Sequence, residues 1–238
     1  MGRPALSSDH NTIAFEALRD GAAGHPSIAL LDTRLQDIQG LESGKGCSFP
    51  SWAPDSSSIA VSCDLNIHLL SLDTLEGVLI ADCALEDNAC TDPEWSPDGT
   101  TILIFQAMKF RPNPGIYSLN TSCLDDPAAC PAEPQFFLRG TPPFAWSPIG
   151  DKIAFITFEG GLGIASPQGE ILEEIQIPGG AQIVSMAWSE EGDLLAITLD
   201  TYSNGQDSYL VPVEGGDWRR LSLAEGDSIV HFWVTIPG

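Results

Sequence analysis

Trp95-Ser96-Pro97-Asp98-Gly99, followed by Thr100-Thr101-Ile102-Leu103-Ile104-Phe105, decides the fold. Pro presets φ, Asp bonds back to nearby backbone, and Gly accepts positive φ, so the first five residues encode a tight turn. The run after it is rich in β-formers and reads as a short buried strand. The frame recurs. Trp52 opens Trp-Ala-Pro-Asp-Ser-Ser-Ser-Ile-Ala-Val, and Trp146 opens Trp-Ser-Pro-Ile-Gly-Asp-Lys-Ile-Ala-Phe. Trp188 opens Trp-Ser-Glu-Glu-Gly-Asp-Leu-Leu-Ala-Ile, and Leu6 heads a copy in which Leu replaces Trp. Trp233 begins a truncated copy. Successive starts lie 46, 43, 51, 42 and 45 residues apart, which is the length of one four-stranded propeller blade.

Later segments supply the other strands of each unit. Ile28–Leu31, Ile67–Leu70, Ile116–Leu119, Leu162–Ala165 and Tyr209–Val213 form one set. Gln135–Leu138 and Trp218–Leu221 exemplify the next, and the segment before each Trp completes the four. The fold class expected is therefore all-β: a single propeller domain over residues 1–238, with turns near 6, 52, 95, 146 and 188. Little chain precedes Leu6, so a C-terminal strand over residues 228–236 is expected to close the first blade and leave five. A fragment of a larger six- or seven-bladed propeller is the alternative. The Trp rings are read as wedges between neighbouring blades, against a rival role in stacking on sugars.

These residues resemble the Trp-Ser-Pro-Asp-Gly repeats of TolB-like and WD-repeat-like propellers. Such repeats also occur in the propeller domains of prolyl-oligopeptidase-type and dipeptidyl-peptidase-type enzymes. The resemblance implies a fold and leaves the function open.

Composition narrows the function. Ten Lys and Arg face 33 Asp and Glu, a formal charge of −23. That surface repels phosphate backbones, which argues against nucleic acid, and favours a basic protein or peptide. Solubility is the plainer reading, and adaptation to salt a third, since only three residues are Lys. No apolar window is long enough to cross a membrane as a helix. Met1–His10 has no apolar centre and is not a signal peptide; a mature portion or an excised domain is expected.

Six cysteines stand at 47, 63, 83, 90, 123 and 130. An even count with repeated spacing reads as disulfides and an extracytoplasmic setting. Cys47 and Cys63 are symmetric about Asp55 and so face each other across a hairpin. Cys83–Cys90 and Cys123–Cys130 are expected to staple equivalent loops, each after the third strand that follows its unit's Trp.

No catalytic constellation emerges. There is no Gly-x-Ser-x-Gly elbow, no His-Glu-x-x-His and no Asp-x-Asp-x-Asp-Gly loop. Gly160-Gly161-Leu162-Gly163 reads as a tight hairpin turn, and His68, inside a strand, as a packed or surface imidazole rather than a ligand. The chain is expected to need no cofactor and no metal. Asn120-Thr121-Ser122 matches the glycosylation sequon. Lys109-Phe110-Arg111 opens a basic, proline-rich loop against an acidic background; a simple inter-strand loop is its plainer reading, and a binding loop its functional one. The reading that follows is a monomeric, extracytoplasmic, non-enzymatic module that binds protein or peptide. An accessory domain of a peptidase and a sugar-active propeller are the rivals.

Overall fold

The computed structural model describes residues 4–18, 26–83, 88–108, 114–124, 133–201 and 205–221. It contains five four-stranded antiparallel sheets, the architecture of a five-bladed β-propeller. The first blade comprises β1 (Ala5–Leu6), β2 (Thr12–Leu18), β3 (Pro26–Asp32) and β4 (Ile38–Lys45). The second comprises β5 (Cys47–Trp52), β6 (Ser58–Cys63), β7 (Asn66–Ser71) and β8 (Gly77–Ala81). The third comprises β9 (Asn88–Trp95), β10 (Thr101–Met108), β11 (Gly115–Asn120) and β12 (Gln135–Leu138). The fourth runs through β13 (Thr141–Trp146), β14 (Ile153–Ile156), β15 (Leu162–Ala165) and β16 (Ile171–Ile175). The fifth runs through β17 (Gln182–Trp188), β18 (Leu194–Asp200), β19 (Gln206–Pro212) and β20 (Arg219–Arg220). Two compact units divide the chain, residues 1–137 and 138–238. The first blade has its own initial strand in β1, two residues long; the closing strand expected over 228–236 lies outside the described residues.

Each repeat turn joins the first strand of a blade to the second, and one hydrogen-bond pattern builds it. Ser96 N–H donates to Thr101 O, and Gly99 N–H to Ser96 O. The buried Ser96 hydroxyl accepts Thr101 N–H at 3.0 Å and donates to Asp98 at 2.7 Å. Ser7 and Asp9 repeat this at 2.6 Å. In the fourth and fifth blades the same hydroxyl donates to a carboxylate four residues on, Asp151 from Ser147 and Asp193 from Ser189, both at 2.8 Å. The fourth turn position has positive φ throughout: His10, Ser56, Gly99, Gly150 and Gly192. The second blade departs from the pattern, because Ala53 removes the hydroxyl.

Cores form between consecutive blades. Ile28 and Leu41 meet Trp52, Ile59 and Val61. Ala60, Ile67 and Ile80 meet Trp95, Ile102 and Ile104. In the second unit Ile156 and Ile164 meet Trp188, Leu195 and Ile197. Opposite faces of β6 serve two cores, so all six of its residues are buried. Strands buried on both faces read as continuous apolar runs rather than alternations, which explains Ile59-Ala60-Val61.

The indole N–H of Trp52 donates to Ala5 O at 3.0 Å, and that of Trp188 to Ala145 O at 3.1 Å. Each therefore bonds the preceding blade's first strand, and rings this buried have no face left for a sugar. Trp95 differs: its backbone N–H donates to Ser51 Oγ at 3.1 Å, and its indole N–H is buried without a partner.

The glycine run divides into two roles. Gly160, at φ 84°, turns the chain between β14 and β15. Gly163 lies within β15, opposite Phe155, and a Cβ there would stand 2.3 Å from the Phe155 ring. The ring occupies the space that a side chain would need.

Candidate binding face

Antiparallel order brings the start of β5, the end of β6, the start of β7 and the end of β8 to one end of the second blade. Cys47 and Cys63 are direct register partners there and form a disulfide, with Cα atoms 4.3 Å apart. Asp64 and Leu65 make the two-residue turn into β7, at φ 50° and 70°. Positive φ at both positions marks the primed hairpin turn that favours Asn-Gly. Leu65 holds it nonetheless and is 53% exposed.

The connection from the second blade to the third is fastened to this turn. Cys83 and Cys90 are disulfide-bonded. Cys90 N–H donates to Leu65 O at 2.9 Å, and the buried Ser62 hydroxyl donates to Cys90 O at 2.7 Å. Cys83 N–H donates to Asn66 Oδ1 at 2.8 Å. Two covalent links and three hydrogen bonds thus hold one exposed leucine in place. Cys83 follows β8 as expected, but Cys123 does not occupy an equivalent loop. It lies in a 3₁₀ turn, Thr121–Leu124, before β12 rather than after it. β11 is only the second strand after Trp95, and the long stretch from β11 to β12 carries Cys123. Cys123 is itself disulfide-bonded, and Cys130 lies outside the described residues.

The first strands of these blades are bulged beside the clamp. Phe49 and Pro50 oppose Val61 alone, and Asp92 and Pro93 oppose Ile104 alone. Phe49 and Asp92 both have positive φ, 55° and 52°. Pro has no N–H to lose from the ladder, so it suits a bulge. Glu16 of the first blade accepts Phe49 N–H at 2.9 Å. Bulges re-aim side chains where a surface is used, and the sequence offered only the Pro two residues before Trp as a sign of them.

His68 stands in β7, within the electrostatic influence of Asp64 and Asp82. Burial lowers its pKa, and the two carboxylates only partly oppose this. It is a neutral, packed imidazole at neutral pH. Among the described residues no three His, Cys, Asp or Glu side chains converge on a metal position.

Lys109, Phe110 and Arg111 lie outside the described residues. The flanking strands show where their segment leaves the sheet: Met108 pairs with Asn88, and Gln106 pairs with both Cys90 and Gly115. Those ends belong to the clamped end of the third blade. In the second unit the corresponding end of the fourth blade carries Arg139, whose guanidinium sits 5.3 Å from the centre of the exposed Phe158 ring. Sequence reasoning missed this pair, because the two residues sit in separate loops with no shared motif.

No protein-family model matches the chain, and no curated protein matches its sequence. Solved structures match in fold. TolB from Acinetobacter baumannii aligns with a TM-score of 0.65 at 18% identity, over 91% of this chain and 55% of TolB. An oligogalacturonate lyase in complex with manganese gives 0.65 at 15% identity, over 92% of this chain and 64% of the lyase. A putative TolB from Agrobacterium tumefaciens gives 0.65 at 17% identity, over 84% and 71%. The chain spans less than two thirds of the first two structures. At these identities the likeness is one of architecture, and the chain has the β-propeller fold that TolB and the lyase share.

Proposed function

We propose that the chain is an extracytoplasmic binding module that engages a protein or peptide through the clamped end of its blades. The observation that carries this reading is Leu65, exposed at the tip of a turn held by disulfides on both sides. Exposed apolar groups on rigid supports are what recognition uses. Lys109-Phe110-Arg111, in the connection from β10 to β11, supplies the aromatic and the two cations that this reading assigns to partner recognition. The net charge of −23 favours a partner with basic residues and speeds its approach. Disulfides favour an oxidising compartment. The likeness to TolB agrees with a binding role. The likeness to an oligogalacturonate lyase raises the rival of an anionic oligosaccharide, which a surface this acidic repels.

A peptide array probed with the purified protein tests the reading. Binding to basic peptides with apolar residues is expected, weakening with salt and lost in Leu65→Asp. Retention of anionic oligosaccharides with no peptide bound overturns it.

A further inference from the structure

The binding reading leaves one motif unused. Asn120-Thr121-Ser122 is the sole Asn-x-Ser/Thr sequence in the chain with x other than Pro. Asn120 ends β11 and is exposed, as is Ser122. Asn120 Oδ1 accepts Ser122 N–H at 2.8 Å, which fixes the amide plane. Among the described residues none accepts a hydrogen bond from Asn120 Nδ2. Thr121 anchors the segment from beneath, since its hydroxyl donates to Gly99 O at 2.7 Å and its N–H to Thr100 O. The sequon is thus mounted on the Trp95 turn, with its acceptor residue exposed.

We propose that Asn120 is an N-glycan acceptor, filled as the chain passes through a glycosylating secretory compartment. The donor class is an oligosaccharide joined to a polyprenyl diphosphate. Nδ2 bonds to the anomeric carbon while the bond from that carbon to the phosphate oxygen breaks. The diphosphate leaves with the electron pair, and one Nδ2 proton passes to a base of the transferase. A glycan is bulky and solvated and requires a surface position. Position also spares the binding face. Asn120 pairs with Thr101 beside the Trp95 turn, whereas the clamped end of the same strands is marked by Gln106 and Gly115.

The proposal rests on the extracytoplasmic reading, and one experiment separates the two. The full chain is secreted from eukaryotic cells behind a cleavable leader. Intact mass is then measured before and after peptide N-glycosidase, with and without reduction. Oxidised protein carrying a single glycan that is absent from Asn120→Gln and Ser122→Ala is the expected result. Oxidised protein with no glycan on Asn120 overturns the acceptor assignment and leaves the compartment reading standing. Protein that is retained with free thiols overturns both. The two substitutions lie on exposed side chains, so their secreted yield is expected to match the parent's.

Discussion

Ser147 donates its hydroxyl to Asp151 at 2.8 Å, reaching a carboxylate two positions further along than the one that Ser96 finds in Asp98. The bond is kept while its acceptor moves, because Ile149 occupies the position of Asp98. Lys152 N–H donates to the same Ser147 oxygen at 3.1 Å. Ser147→Ala removes both bonds from a fully buried site and is expected to cost about 1–2 kcal/mol, measured by urea unfolding. The second blade offers the reverse test. Ala53→Ser supplies a hydroxyl for Asp55 and is expected to add about 0.5–1.5 kcal/mol. A loss there would show that the site has no room for the oxygen.

The tryptophans should not be equivalent. Trp52→Phe and Trp188→Phe each abandon a carbonyl that the indole satisfies. Trp95→Phe removes an N–H that has no partner. The first two are expected to cost about 1 kcal/mol more than the third. Equal unfolding midpoints for the three variants would contradict the assignment.

Gly163→Ala tests close approach rather than backbone freedom. A methyl group 2.3 Å from the Phe155 ring forces that buried ring to move, at about 3 kcal/mol. Calorimetry should show a large drop in Tm, and Phe155→Leu in the same chain should recover part of it.

The turn carboxylates predict an acid limit. The Ser96 hydroxyl and Thr100 hold Asp98 below the usual carboxylate range, and Ser57 does the same for Asp55. The Ser7 hydroxyl, with Asn11, lowers Asp9 to about 2. A carboxylate whose folded pKa lies below its unfolded value contributes stability at higher pH and loses it as pH falls through the folded pKa. Unfolding midpoints should therefore hold down to about pH 4 and decline from there toward about pH 2. In Asp9→Asn combined with Asp98→Asn the decline should be shallower. An unchanged slope in that double variant would sink this account.

Peptide mapping without reduction should recover the Cys47–Cys63 and Cys83–Cys90 links and no free thiol. Replacing Cys47 and Cys63 together by Ser is expected to cost about 2–3 kcal/mol.

Much of this fold could be read from the chain because turn chemistry is local. Pro-Asp-Gly after Trp announces a hairpin whatever surrounds it, whereas Cys47 meets Cys63 only because the bulge at Phe49 and Pro50 shifts the register that Trp52 and Ile59 begin. Features that depend on other strands could not be read in that way. Nothing near Gly163 says that Phe155 fills its place. Nothing near Leu65 says that a leucine will hold a left-handed turn, since the bonds that keep it there come from Ser62 and Cys90. The misplacement of Cys123 has the same origin, because the distance from β11 to β12 is set by an insertion and not by the repeat.

The paired disulfides also bear on how the protein yields to force. A chain pulled from its termini can release only the length that its covalent loops leave free. The 16-residue separation of Cys47 and Cys63 withholds about 55 Å of extended chain, and the 7-residue separation of Cys83 and Cys90 about 24 Å. The hairpin of β5 and β6 therefore stays closed under tension even after the sheet of the second blade has come apart, while β7 and β8, which lie between the two loops, can extend. The turn bearing Leu65 follows the closed hairpin by two residues and keeps that tether on its Cys63 side.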